Sequence, residues 1–171
     1  MSKIIPATLV LENGLVYTGQ SFGAQTDAVF ELVFNTSMMG YQEIISDPSY
    51  KGQGVLFTVS HIGNVGINPE DNESTRPQVS AVIARTISPV VSNWRSTSDI
   101  STWLDVYGIP GIAGIDTRAI TRQLREIGTM RAALSTRGTS SDKLLASVLA
   151  WPGLDGQDMV KEVTRSKIYR W

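Results

Sequence analysis

Apolar and polar residues alternate along the first third of the chain with the period of two that lets a strand bury one face. Two β-prone runs, Ala7 to Leu11 and Leu15 to Phe22, flank Glu12-Asn13-Gly14, where Asn-Gly supplies the positive φ angles of a tight hairpin turn. Ala28 to Asn35 reads as a third strand, with Val29, Glu31 and Val33 on one face and Phe30, Leu32 and Phe34 on the other. Only one of those faces carries a charge, so most of this strand is expected inside. The alternation then stops: NTSMMGYQEIISDPSY, from Asn35 to Tyr50, is rich in hydroxyls and amides. Within it a short helix over Tyr41 to Ser46 would end at Asp47-Pro48, since proline drives its predecessor out of the helical region. GVLFTVS, from Gly54 to Ser60, is apolar again. HIGNVGINPEDNESTRP then collects turn formers into a long loop of the kind that is usually functional or mobile. Ser80 to Ile87 reads as a further strand, ended by Ser88-Pro89.

The second half changes period. Ser98 or Asp99 is placed to cap a helix through Tyr107, with Ile100, Trp103 and Leu104 on one stripe and Gly108 closing it. IPGIAGI is short, apolar and glycine-bearing, which suits a buried strand that another backbone approaches closely. Asp116 caps TRAITRQLREI, closed by Gly128, with Ile120, Leu124 and Ile127 as its core face. Met130 to Ser135 returns as a strand, and Ser140-Ser141-Asp142 opens a last amphipathic helix to Trp151. Short strands first and helices later predict an α+β domain, with helices on one side of sheet layers. The domain is expected over 1–155. The segment 156–171, charged and without a core period, reads as a chain leaving it.

Composition narrows the chemistry. At 171 residues the chain suffices for one domain, burying roughly 70% of the surface its unfolded form exposes. It has no cysteine, which fits a reducing compartment and excludes a thiol nucleophile, a disulfide framework and a Cys-based zinc site within it. A single histidine, His61, leaves little for a His-rich metal centre. Fifteen Lys plus Arg against sixteen Asp plus Glu leave a net charge of −1, so bulk attraction to nucleic acid or to an anionic membrane is not expected. MSKIIPATLVLENG lacks a signal peptide's continuous apolar run. No apolar stretch approaches the roughly 20 residues of a membrane span. The default expectation is a soluble, cytoplasmic protein.

Few residues suggest chemistry by themselves. Arg118, Arg122 and Arg125 stand at i, i+4 and i+7, opposite the apolar stripe of their helix. They are either a solvated face paired with Glu126 and its neighbours, or a docking face whose guanidinium forks bind carboxylates. Asp116 reads as an N-cap and not an acid catalyst. His61 sits where a strand meets the long loop, without a visible nucleophile or orienting partner, and is better read as a hydrogen-bonded structural residue. GNVG, from Gly63 to Gly66, lacks the rest of a phosphate loop and reads as a tight turn. Of the four tryptophans, Trp103 belongs to a core stripe, while Trp94 and Trp171 have no evident place and are interface candidates, as is the pair Met38-Met39. No catalytic centre and no metal site is visible.

Taken in order, FELVFNTSMMGYQEIISDPSYKGQ, HIGNVGIN, SNWRSTSDISTWL, GIAGIDTRAITRQLRE and WPGLDGQDMVKEV resemble the N-terminal domain of the small, glutamine-hydrolysing subunit of carbamoyl-phosphate synthetase. The resemblance implies a layered β/β/α domain followed, in the family, by a class I glutamine amidotransferase domain. That second domain releases ammonia from L-glutamine, and the large subunit uses it with bicarbonate and ATP to make carbamoyl phosphate for arginine and pyrimidine synthesis. It implies no cofactor in this domain, ATP and Mg only on the large subunit, and no glutaminase activity of these residues alone. Expected partners are the large subunit and the amidotransferase domain. The serine of DPSY contacts glutamine in the family, and the matching residue is Ser49. Ser60 stands where the family's loop leads one to expect proline, which puts the entry to that loop in question. A different class of reading is a stand-alone, non-catalytic binding module of the same fold.

Overall fold

The computed structural model describes residues 5–164; Trp171 and the rest of 165–171 lie outside the described residues. Among the described residues seven strands form: β1 (Pro6–Leu11), β2 (Val16–Gly23), β3 (Asp27–Asn35), β4 (Gln53–Phe57), β5 (Ala81–Ile83), β6 (Pro110–Ala113) and β7 (Met130–Ser135). They pair in the order β1-β2-β6-β5-β4-β3-β7, and β7 pairs back on β1. The sheet is thus a closed barrel, which leaves no strand edge open to another chain. The helices are α1 (Tyr41–Ser46), α2 (Ile100–Val106), α3 (Thr117–Ile127), α4 (Ser141–Ala150) and α5 (Val160–Val163), with a 3-10 turn at Pro48–Tyr50. The domain is α+β. What the resemblance implies as stacked β layers is here one continuous barrel, because β1 finds partners on both sides.

Strand direction explains where the long connections fall. β3, β4, β5 and β6 run parallel to one another, and parallel neighbours cannot be joined by a tight turn. Each link must travel back along the barrel. Those crossovers are residues 36–52, 58–80 and 84–109, and they carry α1, the long loop and α2.

Alternate strand residues fill the barrel: Leu9, Leu11, Phe30, Leu32, Leu56, Ile83, Ile112 and Leu134 are all fully buried in one cluster. Helix α3 adds Ile120 and Leu124 to that cluster and so covers an opening of the barrel. Outside, α2 lays Ile100, Trp103 and Leu104 on Phe22 and Val82, together with α1 and the loop residues Ile62, Ile67 and Val79. On another side α4 sets Leu144 and Val148 on Val10 and Ala133. Each such side chain stabilises the fold by roughly 1.5–3 kcal/mol relative to exposure.

Several expectations change in detail. In the first hairpin Gly14 alone is left-handed, at φ 85°, and no described non-glycine residue has positive φ. Asn13 instead accepts a hydrogen bond from the Leu15 N–H at 3.1 Å, which gives the bulged form of hairpin with glycine last. The strand expected over Ser80 to Ile87 shortens to Ala81–Ile83, and Ile87 pairs separately with Ile62. Ile127 is 63% exposed: the buried stripe of α3 begins a turn earlier, at Thr117, and the last turn runs beyond the barrel. At Gly111 the close neighbour is the ring of Phe22, 2.4 Å from where a Cβ would stand, whereas backbone approaches Gly19, through the Ala113 carbonyl, and Gly23, through the Ile109 carbonyl. Near the end of the described residues, Leu154 and Met159 lie over Gly52, and Lys51 meets Glu162 at 3.5 Å.

Candidate functional site

The crossover 36–52 is the segment the sequence left unexplained, and at its centre is a helix that could not stand alone. α1 has only six residues, opens on Gly40 and has no side-chain cap; a helix so short is unstable in water without tertiary support. The loop 58–80 supplies that support. Tyr41 donates from its hydroxyl to the Gly66 carbonyl at 2.6 Å. Gln42, 3% exposed, accepts from the Asn68 N–H at 3.0 Å and donates to the Asn68 carbonyl and to Asn72 Oδ1. Ser46, fully buried, accepts from the Glu73 N–H at 3.0 Å, and its carbonyl accepts from the Ser74 hydroxyl at 2.7 Å. The Ile45 carbonyl accepts from the Gln78 N–H at 2.8 Å. The many turn formers of the loop thus clasp α1 along its length.

A second ring of polar groups fixes the clasp. Arg95, from the crossover 84–109, donates to Asp71 Oδ1 at 2.5 Å, Glu70 Oε2 at 3.0 Å and Asn68 Oδ1 at 3.2 Å. The Asn68 amide also donates to Asp71 Oδ2 at 2.7 Å. Those donors, Asn68 first and Arg95 next, hold the Asp71 carboxyl below its ordinary value. Burial pushes the Tyr41 phenol well above its ordinary value, which keeps it neutral as the donor to Gly66. Gly66 has φ 66°, and a Cβ there would lie 2.0 Å from Ser96 Oγ, so glycine is required on both counts.

From this base the chain runs through Asp47-Pro48-Ser49. The Asp47 carboxylate accepts from the Ser49 N–H at 2.8 Å, and Pro48 opens the 3-10 turn. Tyr50 ties the turn to β3 by accepting from Asn35 Nδ2 at 2.9 Å. Ser49 itself is exposed. Its backbone is held while its hydroxyl has none of the hydrogen bonds found among the described residues, and a hydroxyl in that state can both donate to and accept from a ligand.

The remaining candidates lie elsewhere. Arg118, Arg122 and Arg125 are exposed on α3, and among the described residues none forms an ion pair, so the expected pairing with Glu126 does not occur. They line a groove with Thr58 and Thr121. Thr58 follows the end of β4 and Ser49 precedes its start, so the structure does not bring Ser49 and the arginines together. Trp94 is 92% exposed, and Trp103 is buried as its stripe predicts. His61 is exposed, with Nδ1 3.2 Å from the hydroxyl of its neighbour Ser60, and among the described residues no third group orients the pair. Met38 and Met39 are 83% and 84% exposed beside a cavity of about 140 Å³. No group of three or more His, Cys, Asp or Glu among the described residues could hold a metal ion, and no described helix is long and apolar enough to cross a membrane.

Sequence reasoning missed Gln42, Asn68 and Arg95. Each belongs to a quoted motif, but their partnership spans 26 positions between Gln42 and Asn68 and 27 between Asn68 and Arg95. No local spacing signals it.

The family model for the carbamoyl-phosphate synthase small chain, CPSase domain, matches residues 9–134. The chain belongs to that family. The carbamoyl phosphate synthase small chain of Nostoc sp. is 50% identical over 171 residues, all of this chain and 44% of that protein. Those of Thermosynechococcus vestitus and Synechocystis sp. are 49% and 50% identical over 166 residues, 97% of this chain, and 44% and 43% of their own lengths. The chain therefore spans less than half the length of these small-chain relatives. The match to the small-chain family runs from Leu9 in β1 to Leu134 in β7 and includes most of the barrel, the clasp around α1 and the Ser49 turn.

Proposed function

We propose that this chain is the N-terminal part of the small subunit of a glutamine-dependent carbamoyl-phosphate synthetase, where it docks on the large subunit and completes the glutamine site of an amidotransferase domain. The observation that carries the reading is the Ser49 turn: its backbone is fixed by Asp47, Asn35–Tyr50 and the clasp on α1, and its side chain is exposed. A preorganised hydroxyl on a rigid base binds at lower entropic cost than one on a free loop. In this reading the amidotransferase domain hydrolyses glutamine, and the large subunit holds ATP and Mg and makes carbamoyl phosphate for arginine and pyrimidine synthesis in the cytoplasm. The residues of this chain take no part in bond breaking. Having no cysteine, they carry no thiol nucleophile for glutamine hydrolysis.

The test compares two ammonia sources. In the complex of a full-length small subunit with its large subunit, Ser49→Ala should raise the KM for glutamine severalfold and leave carbamoyl phosphate synthesis from free ammonia unchanged. A glutamine KM equal to that of the unaltered complex would remove Ser49 from the site.

A further inference from the structure

Helix α3 buries one face and leaves a line of arginines on the other. Thr117, Ile120 and Leu124 are buried, with Ile120 and Leu124 in the cluster that fills the barrel, while Arg118, Arg122 and Arg125 are exposed. At 3.6 residues per turn the three arginines fall within an arc of about 60° of the helix, and at 1.5 Å rise per residue they form a stripe about 10 Å long. All three line one groove of about 190 Å³ with Thr58 and Thr121, and no carboxylate lines it.

The stripe is not a reflection of overall charge, since the chain carries a net −1. Like charges three and four residues apart weaken a helix, and Arg122 has such a neighbour on each side. Nothing in the described fold offsets that repulsion. Its ion pairs use Arg95, Arg131, Arg137, Lys51 and Lys161. Glu126 borders the adjoining groove with Arg122 and Arg125 but pairs with neither. The shape of the stripe then selects its ligand. A small anion is held where donors converge, as at an open helix N-terminus, and the first turn of α3 is closed by Asp116, which accepts from the Ala119 N–H at 3.0 Å. A line of guanidinium forks instead suits a line of carboxylates, each bound bidentately. Acidic residues spaced three and four apart on a facing helix repeat at the same rise.

We propose that the arginine stripe of α3 is the docking site for an acidic helix of the large subunit, whose carboxylates lie along Arg118, Arg122 and Arg125. Charge complementarity selects this occupant, because a second copy of the same face would set arginine against arginine. Of the two partners in the function proposed above, the amidotransferase domain is met at Ser49, which the structure does not bring together with the arginines; that leaves the stripe to the large subunit. The inference rests on the docking half of that function and names the surface that performs it.

The test is the affinity of a full-length small subunit for its large subunit, read by biolayer interferometry between about 50 and 300 mM salt, a range over which exposed charges become screened. Arg118→Glu/Arg122→Glu should weaken binding about tenfold or more and flatten its salt dependence. Arg118→Lys/Arg122→Lys, which keeps the charges without the forks, should lose less. The control Arg76→Glu/Lys143→Glu makes the same change in net charge at exposed residues of the loop 58–80 and of α4, and should bind within about twofold of the unaltered subunit. The altered arginines are exposed, so melting temperatures should stay within about 2 °C of the unaltered subunit. A larger fall transfers the decision to Arg118→Gln/Arg122→Gln. Equal binding by the unaltered subunit and the α3 reversal overturns this surface and leaves the docking reading standing. A loss as large in the control pair also overturns it, because net charge alone would then explain the effect. No binding of the large subunit by the unaltered small subunit overturns both readings.

Discussion

The clasp on α1 yields a quantitative prediction through Gln42→Leu. Leucine nearly matches glutamine in volume, so packing is preserved while three hydrogen bonds disappear. The Asn68 N–H is buried with its residue 4% exposed, and losing its acceptor costs about 1–3 kcal/mol. The Asn68 carbonyl keeps a second lone pair and Asn72 is half-buried, so their losses are each nearer the lower end of that range. Burying leucine in place of an amide returns about 1 kcal/mol. The net expectation is a loss of about 2–4 kcal/mol in urea unfolding, or about 4–16 °C in Tm at the 2–4 °C per kcal/mol of a domain this size. The slope against urea should not change, since the same surface is exposed on unfolding. Amide hydrogen exchange adds the local signature: Ile44, Asp47 and Ser49 should exchange much faster, and Leu9 and Leu134 in the barrel only as global stability falls. A loss below about 0.5 kcal/mol, or unchanged exchange at Ile44 and Ser49, would refute the argument that the loop holds the helix.

Three further outcomes follow from particular contacts. In the barrel, Gly54→Ala would set a Cβ 2.3 Å from the ring of Phe30, which is fully buried and cannot swing away; the expected cost is about 1–3 kcal/mol by urea unfolding, partly relieved in the Gly54→Ala/Phe30→Leu pair. Because the folded-state pKa of Asp71 is depressed below 3.8, its contribution is fully present above that pH and is lost as pH falls through the folded value. Asp71→Asn should therefore be less stable than the unaltered chain at pH 7, with the difference closing below pH 3.8, as read from Tm against pH. Trp94 should account for the acrylamide-quenchable part of the fluorescence contributed by Trp94 and Trp103, and Trp94→Phe should remove that part with a stability change under about 0.5 kcal/mol.

How much of this was legible follows from which interactions are local. The hairpin, the stop at Asp47-Pro48 that ends the short helix at Ser46 and the caps Asp99 and Asp116 depend on neighbours within a turn, and each stands where its residues point: the two aspartates accept from Thr102 N–H at 2.9 Å and Ala119 N–H at 3.0 Å. Barrel closure was not legible, because it is a property of registers such as Leu9 with Leu134, between residues far apart in the chain. Parallel strands read as plain apolar runs and do not announce their partners. β5 came out shorter than its run for the same reason: beyond Ile83 the ladder to β4 stops, and Ala84 to Ile87 keeps the Ala84 N–H bond to the Ile112 carbonyl, the Gly114 N–H bond to the Arg85 carbonyl and the bridge of Ile87 to Ile62.

The same distinction accounts for the site. Ser49 rested on the family resemblance, since nothing in DPSY alone separates a ligand-binding hydroxyl from one that merely finishes a turn. In the structure Asp47 closes the turn by accepting from the Ser49 N–H, and the Ser49 hydroxyl is not used for it. Gln42, Asn68 and Arg95 then explain why a run of hydroxyls and amides occupies the middle of the chain. A crossover between parallel strands must lie outside the barrel, where its backbone groups cannot join the sheet, and side-chain amides satisfy them instead. The polar composition of this segment is the material of a scaffold that fixes the Ser49 turn and leaves its side chain exposed.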